Sequence, residues 1–354
     1  MIRTVCMALM ISLLLTSCVK QQILDRVHLF IVASFDEISK DQIELTIAVP
    51  DFELGKPEAV TDQMYSKTGR TGSEIREVMG TQIDKPLHPG KLSVVLFGRD
   101  KATSGVKKEL DVLLRNAIHS RRMYLAVVDG KAKHLLEEKF SRKDEKGMYL
   151  YHLLDANTRK GTLPSQNLHE FEYARVGKGL DPYLPLLQIQ HGRVSVVGTA
   201  LFRDDAYVAS LNYNQSKFMK MLLKDMNQGI IEVKLDNGTF LTVDNVGSSV
   251  KYHMKNDSIL INLSMDCKIR EAEGNPISDE VLPILKKQIE QKILQAESEL
   301  IQIFQKNEID PLGLGDFVRS RKQTWNEEEW MRQYPKMNIE VDVDVIIMET
   351  GIKK

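Results

Sequence analysis

Cysteine is almost missing from this chain: three occur in 354 residues, and two of them, Cys6 and Cys18, fall within the first eighteen positions. Only Cys267 stands in the body of the sequence, so no internal disulfide can hold the fold there. A single thiol in a strand-like segment reads as a small buried hydrophobe rather than a nucleophile. Net charge is missing too. With 48 Lys and Arg against 49 Asp and Glu, the formal charge is −1, which gives no electrostatic case for a nucleic-acid partner or for an anionic lipid surface. Past the N-terminus no apolar run approaches the roughly 20 residues that cross a bilayer as a helix.

Recognisable chemistry is equally scarce. Gly69-Arg70-Thr71-Gly72 lacks both the frame and the Lys of a phosphate-binding loop. Gly177-Lys178-Gly179 is followed by Pro182 rather than a helix and reads as a linker. His169-Glu170 opens no His-Glu-x-x-His motif, the 8 His are scattered singly, and no Gly-x-Ser-x-Gly elbow occurs. The expectation is therefore no catalytic residue, no metal and no cofactor. Asp342 and Asp344 share one side of a strand and read as its solvated face. Trp325 and Trp330 could form a binding platform, but packing of the last helix onto a sheet accounts for them more simply.

What is present begins at the N-terminus. Arg3 precedes an apolar run from Val5 to Leu15, of signal-peptide rather than membrane-spanning length. Leu15, the small Ser17 and Cys18 then occupy the −3, −1 and +1 positions of a bacterial lipobox. This predicts cleavage between Ser17 and Cys18, diacylation of the Cys18 sulfur, and a mature chain held by lipid alone. A hydrophobic content of 42% with 27% charged residues excludes disorder, and the mature length suits two or three domains of about 100–200 residues.

Four regions follow from the patterning: a signal peptide at 1–17, a lipidated tether at 18–26, a mixed α/β region at 27–190 that a second break near 140 would subdivide, and an α+β domain at 191–354. In the first, Val27–Phe35 and the alternating Ile43, Leu45, Ile47 and Val49 read as a hairpin. Residues 50–67, polar and broken by Pro50, Gly55 and Pro57, read as a surface loop. Thr71 and Glu74 have capping-box spacing. Leu92–Phe97, the helical period of Val106, Leu110, Leu113, Leu114 and Ala117, and Met123–Val128 make a βαβ unit with parallel strands.

From about residue 190 the pattern turns antiparallel. Strands at 194–202 and 206–211 are followed by a hairpin around Asp236-Asn237-Gly238, a meander through 249–254 and 259–269, and an amphipathic helix at 281–304 with Pro283 tolerable only in its first turn. A second helix is expected over about 317–334, then a strand in which Ile339, Val341, Val343 and Val345 alternate with acids. The fold class is thus α+β/mixed α/β, with a βαβ-containing N-terminal part and a C-terminal antiparallel sheet carrying long helices.

Several of these segments resemble the C subunit of spore germinant receptors, the Ger(x)C family. The resemblance rests on Tyr65-Ser66-Lys67-Thr68-Gly69-Arg70-Thr71, Ala126-Val127-Val128-Asp129-Gly130-Lys131-Ala132-Lys133 and Gly198-Thr199-Ala200-Leu201-Phe202-Arg203, and on Asp310-Pro311-Leu312-Gly313-Leu314-Gly315 leading into Tyr334-Pro335 and a closing strand to Thr350-Gly351. It departs after Cys18, where Val19-Lys20-Gln21-Gln22 stands in place of the family's Trp-Asp and a basic residue. The resemblance implies a non-enzymatic lipoprotein on the outer face of the cytoplasmic or spore inner membrane. It implies assembly with integral-membrane A and B subunits into a nutrient receptor, and no ligand pocket in this chain. Two other readings stay open at this level: an envelope solute-binding lipoprotein of a transporter, which would need two hinged α/β lobes, and a membrane-tethered hydrolase.

Overall fold

The computed structural model describes residues 27–52, 60–138, 145–236, 238–255, 258–272 and 280–349; the signal, lipobox and tether, together with Asn237 and Thr350-Gly351, lie outside these. The first part of the chain forms β1 (His28–Leu29), β2 (Val32–Ser39), β3 (Gln42–Phe52), β4 (Val60–Gly69), α1 (Gly72–Gly80), β5 (Leu87–His88), β6 (Val94–Gly98), α2 (Arg99–Ser104), α3 (Lys107–Arg115) and β7 (Tyr124–Val128). Next come α4 (Ala132–Glu137), α5 (Lys146–Asn157), α6 (Leu168–Val176), β8 (Tyr183–Gln190), β9 (Arg193–Arg203), β10 (Ala206–Asn212) and α7 (Tyr213–Leu223). The remainder comprises β11 (Ile230–Lys234), β12 (Phe240–Lys255), β13 (Ser258–Ala272), α8 (Leu282–Lys306), α9 (Leu314–Arg319), α10 (Glu327–Gln333) and β14 (Ile339–Glu349).

The βαβ unit is present, with β6 and β7 parallel and in register from Val94↔Tyr124 to Gly98↔Val128. Both strands are buried along their whole length, as a parallel strand covered on two faces must be. They lie at the centre of an eight-stranded sheet ordered β10-β9-β8-β7-β6-β2-β3-β4. Alternation along the strands divides their side chains between two layers. Ala33, Phe35, Val95, Phe97, Leu125 and Val127 pack with Ile75 and Met79 of α1 and Leu110 of α3 on one face. Val32, Val94, Leu96, Ala126 and Val128 pack with α4 and α5 on the other.

One expectation is corrected here and another extended. The segment 50–67 is not all loop: β3 runs on to Phe52, and β4 pairs with it from Ile43↔Gly69 to Phe52↔Val60. As an edge strand β4 needs little apolar alternation, and Thr46 and Ser66 hydrogen-bond each other at 2.8 Å between the two strands. Pro50 lies beyond the last β2 pair, Val32↔Ala48, where a missing N–H is tolerated. The expected antiparallel change near residue 190 is present, and it occurs inside one sheet. β8 pairs parallel with β7, β9 antiparallel with β8, and β10 antiparallel with β9, so hydrogen bonds carry the first sheet across residue 190 to Asn212.

The second sheet is ordered β11-β12-β13-β14. β12 is one long strand paired with β13 from Leu241↔Ala272 to Lys255↔Ser258, and β14 closes the edge in parallel with β13. Helix α8 docks on it through Ile289, Ile293, Leu300 and Phe304, all fully buried, with Pro283 in its first turn. The expected helix over 317–334 is two helices. Asn326 accepts a hydrogen bond from the Glu329 N–H at 3.0 Å and opens α10 afresh after α9 has ended. That second start turns Trp330 inward, to 3% exposure.

Candidate functional site

Cys18 and Ser17, the two residues singled out for lipidation and cleavage, lie outside the described residues. Among the described residues no group of three His, Cys, Asp or Glu is placed to hold a metal, and no helix is long and apolar enough to cross a membrane. Cys267 is free and buried; burial pushes its thiol up to about 11, which keeps it protonated and inert at neutral pH. Asp342 and Asp344 are exposed on β14. Trp330 is buried and Trp325 half-buried against the same core, so neither offers an open platform.

Two arrangements stand out instead. The first is a chamber of about 340 Å³ on the α1/α3 face of the large sheet, within the range of small-molecule sites. Ala33 and Phe35 of β2 and Leu45 and Ile47 of β3 form its floor, with Leu92 and Leu113 adding to the apolar lining. Its roof is set by the segment before α1. Thr71 Oγ1 accepts from the Glu74 N–H at 3.2 Å, and the Arg70 N–H donates back to Glu74 Oε2 at 3.3 Å. The Thr71 cap starts the helix above the chamber. A Cβ on Gly69 would lie 2.8 Å from Ile75 Cγ1, so glycine lets Ile75 dock directly beneath the cap.

The rim of the chamber is cationic. Arg70, Arg76, Lys108 and Arg115 line it, against Glu109 and Asp111. Glu109 is 2.9 Å from the buried Lys101 ammonium although its Oε2 makes no hydrogen bond, and Asp111 stands 4.0 Å from Arg175, whose guanidinium is held by Glu172. The four cations have no ion-pair partner among the described residues. His119 also lines the chamber; it is 7% exposed, and its Nδ1 lacks a hydrogen-bond partner. Burial, reinforced by the neighbouring Arg76 charge, pushes its imidazole below the usual range, and burial lowers the Arg76 guanidinium as well. Sequence periodicity had no means of finding this site. Its residues come from four elements and the loops beside them; Phe35, Leu45, Ile47, Leu92 and Leu113 are legible as core positions and Arg70-Thr71-Gly72 as part of a short motif, but nothing in the sequence shows that they meet.

The second arrangement is a junction. The Asp310 carboxylate accepts from the N–H groups of Leu314 at 3.0 Å and Gly315 at 2.7 Å. The Asp310 N–H donates to Asp181 Oδ2 at 2.7 Å, and the Asp181 N–H donates to the Asp310 carbonyl at 2.9 Å. Burial pushes Asp181 up to about 6 and Asp310 up to about 7. Gly179 is more than linker. Its φ of 74° is left-handed, and a Cβ there would lie 2.5 Å from the backbone of Gly315. A Cβ on Gly315 would in turn lie 2.6 Å from Trp330 Nε1. Two glycines thus let the chain before β8 touch the first turn of α9 backbone to backbone.

Comparison with known proteins adds to this. Residues 20–189 match the family model described as spore germination protein N-terminal domain, and residues 197–351 the one described as spore germination B3/GerAC like, C-terminal. The chain is similar to spore germination protein GerQC of Bacillus cereus, 28% identical over 352 residues that cover 97% of this chain and 98% of the relative. Among solved structures it resembles the GerBC protein at a TM-score of 0.58 and 18% identity, covering 89% of this chain and 96% of that one. At that identity the likeness is one of fold.

Proposed function

The chain belongs to the GerAC-like, Ger(x)C family of spore germination proteins, and we propose that it works as the lipid-anchored, non-enzymatic C subunit of a germinant receptor. In this reading Cys18 carries the acyl chains, the protein sits on the outer face of the cytoplasmic or spore inner membrane, and its surfaces contact integral-membrane A and B subunits. The observation that carries the reading is the match of both halves to germination-protein families, in a sequence whose Leu15, Ser17 and Cys18 form a lipobox.

The physics of the anchor fits this role. Each buried methylene contributes about 0.8 kcal/mol, and one acyl chain alone holds a protein only marginally, so a diacylated cysteine gives a durable tether. Residues 18–26 span at most about 30 Å when fully extended, and the folded body begins at β1. The tether therefore keeps the β1/β5 end of the molecule close to the membrane, where a partner embedded in the bilayer can reach it.

The test is nutrient-triggered germination of spores carrying Cys18→Ala, with the protein followed by immunoblot and other receptor genes deleted. Loss of nutrient response with dipicolinate-triggered germination intact supports an anchored receptor subunit. Normal germination with Cys18 demonstrably unacylated, or absence of the protein from spores, rejects it.

A further inference from the structure

We infer that the chamber between β2–β3 and helices α1 and α3 is a binding site for a small amphiphile with an apolar body and one anionic head, of the class of short aliphatic or aryl monocarboxylates. Protein interiors leave few voids larger than a water molecule, and a cavity of about 150 Å³ already accepts a benzene ring. The roughly 340 Å³ here, floored by Ala33, Phe35, Leu45 and Ile47, has room for a short chain or a ring with its substituent.

Charge selects the head. Arg70, Arg76, Lys108 and Arg115 line the rim without ion-pair partners among the described residues, four cations against the two acids Glu109, beside Lys101, and Asp111, 4.0 Å from Arg175. An amine would be repelled, and an alcohol would gain no hydrogen bond between opposite charges. A carboxylate fits the planar fork of an arginine. His119 closes one side of the lining, more than nine-tenths buried. This inference goes beyond the receptor role and does not depend on Cys18 or on the membrane subunits.

The experiment is titration calorimetry on the full chain in a non-ionic detergent, with hexanoate, phenylacetate, hexanol and hexylamine as probes. The two carboxylates are expected to bind at least tenfold more tightly than the alcohol or the amine. The double substitution Arg76→Gln with Arg115→Gln, its fold checked by circular dichroism, is expected to reduce carboxylate affinity tenfold or more. Ala33→Leu, which places a larger side chain on the chamber floor, is expected to abolish binding. Since Ala33→Leu could also unfold the core, the charge pair and the comparison among probes decide independently. Equal binding of hexanoate and hexylamine, no heat from any probe at millimolar concentration, or unchanged carboxylate affinity in the double variant overturns the proposal.

Discussion

Glu297 sits in the middle of α8 with no exposed surface, and neither of its carboxylate oxygens has a hydrogen-bond partner among the described residues. Burial alone raises its pKa well above the usual carboxylate range, as it raises Asp181 to about 6 and Asp310 to about 7. A carboxyl whose folded pKa lies above its unfolded value near 4 binds more protons when folded. Its contribution is fullest below about pH 4 and declines as pH rises through the folded pKa. Asp155 works in the opposite sense: the Arg159 and Lys160 side chains hold it far below the ordinary range, and its contribution is lost on acidification. Glu297→Gln removes the charge that folding must suppress. We expect it to stabilise the protein at pH 8 and to do little at pH 4. Urea denaturation at the two pH values checks this, and an equal effect at both would show that charge is not the issue.

At the level of elements, two contacts can be tested by single substitutions. Gly179→Ala combines a left-handed backbone with a Cβ driven into Gly315. It should cost more than about 3 kcal/mol, because backbone cannot yield as a flexible side chain does. Gly192→Ala is the control, since Gly192 has a closely similar φ of 70° but nothing within 4 Å of the added Cβ; strain alone should cost it about 1–2 kcal/mol. Thermal unfolding of the pair separates the junction from mere backbone strain. At the roof of the chamber Thr71→Ala removes the N-cap acceptor of α1 and should cost about 1 kcal/mol, measurable by the same method.

These elements also show which signals were legible. β6 and β7 stood out as short continuous apolar runs, α8 as a helical stripe, and Thr71 with Glu74 as a cap, because each is written within a few consecutive residues. β4 was missed because an edge strand with mixed surroundings has no strict alternation. The break between α9 and α10 was missed because the apolar residues on either side of Ser320–Asn326 keep a spacing compatible with one helix, and only the Asn326 cap interrupts it.

Across the whole molecule, the fold is one large mixed sheet with helices on both faces, joined to a smaller sheet backed by α8. β9 and β10 hydrogen-bond within the first sheet, while Leu201 and Leu211 from those strands pack with Leu300, Phe304, Leu314 and Trp330 of the second half. The two halves thus share strands on one side and a core on the other, and the Asp181–Asp310 exchange ties them again. The sequence alone determined the class of structure, the neutral and disulfide-free character of the folded body, and the family likeness, since composition, local periodicity and short motifs all reside in neighbouring residues. Only the tertiary structure decided that hydrogen bonding passes unbroken across residue 190, that Gly179 meets Gly315, and that Arg76, Arg115 and His119 converge over an apolar floor. Gly179 and Gly315, or Arg76 and Arg115, are far apart in the chain, and chain order carries no distance between them until the fold brings them together; the pairing across residue 190 is local, but whether it continues the first sheet depends on β7.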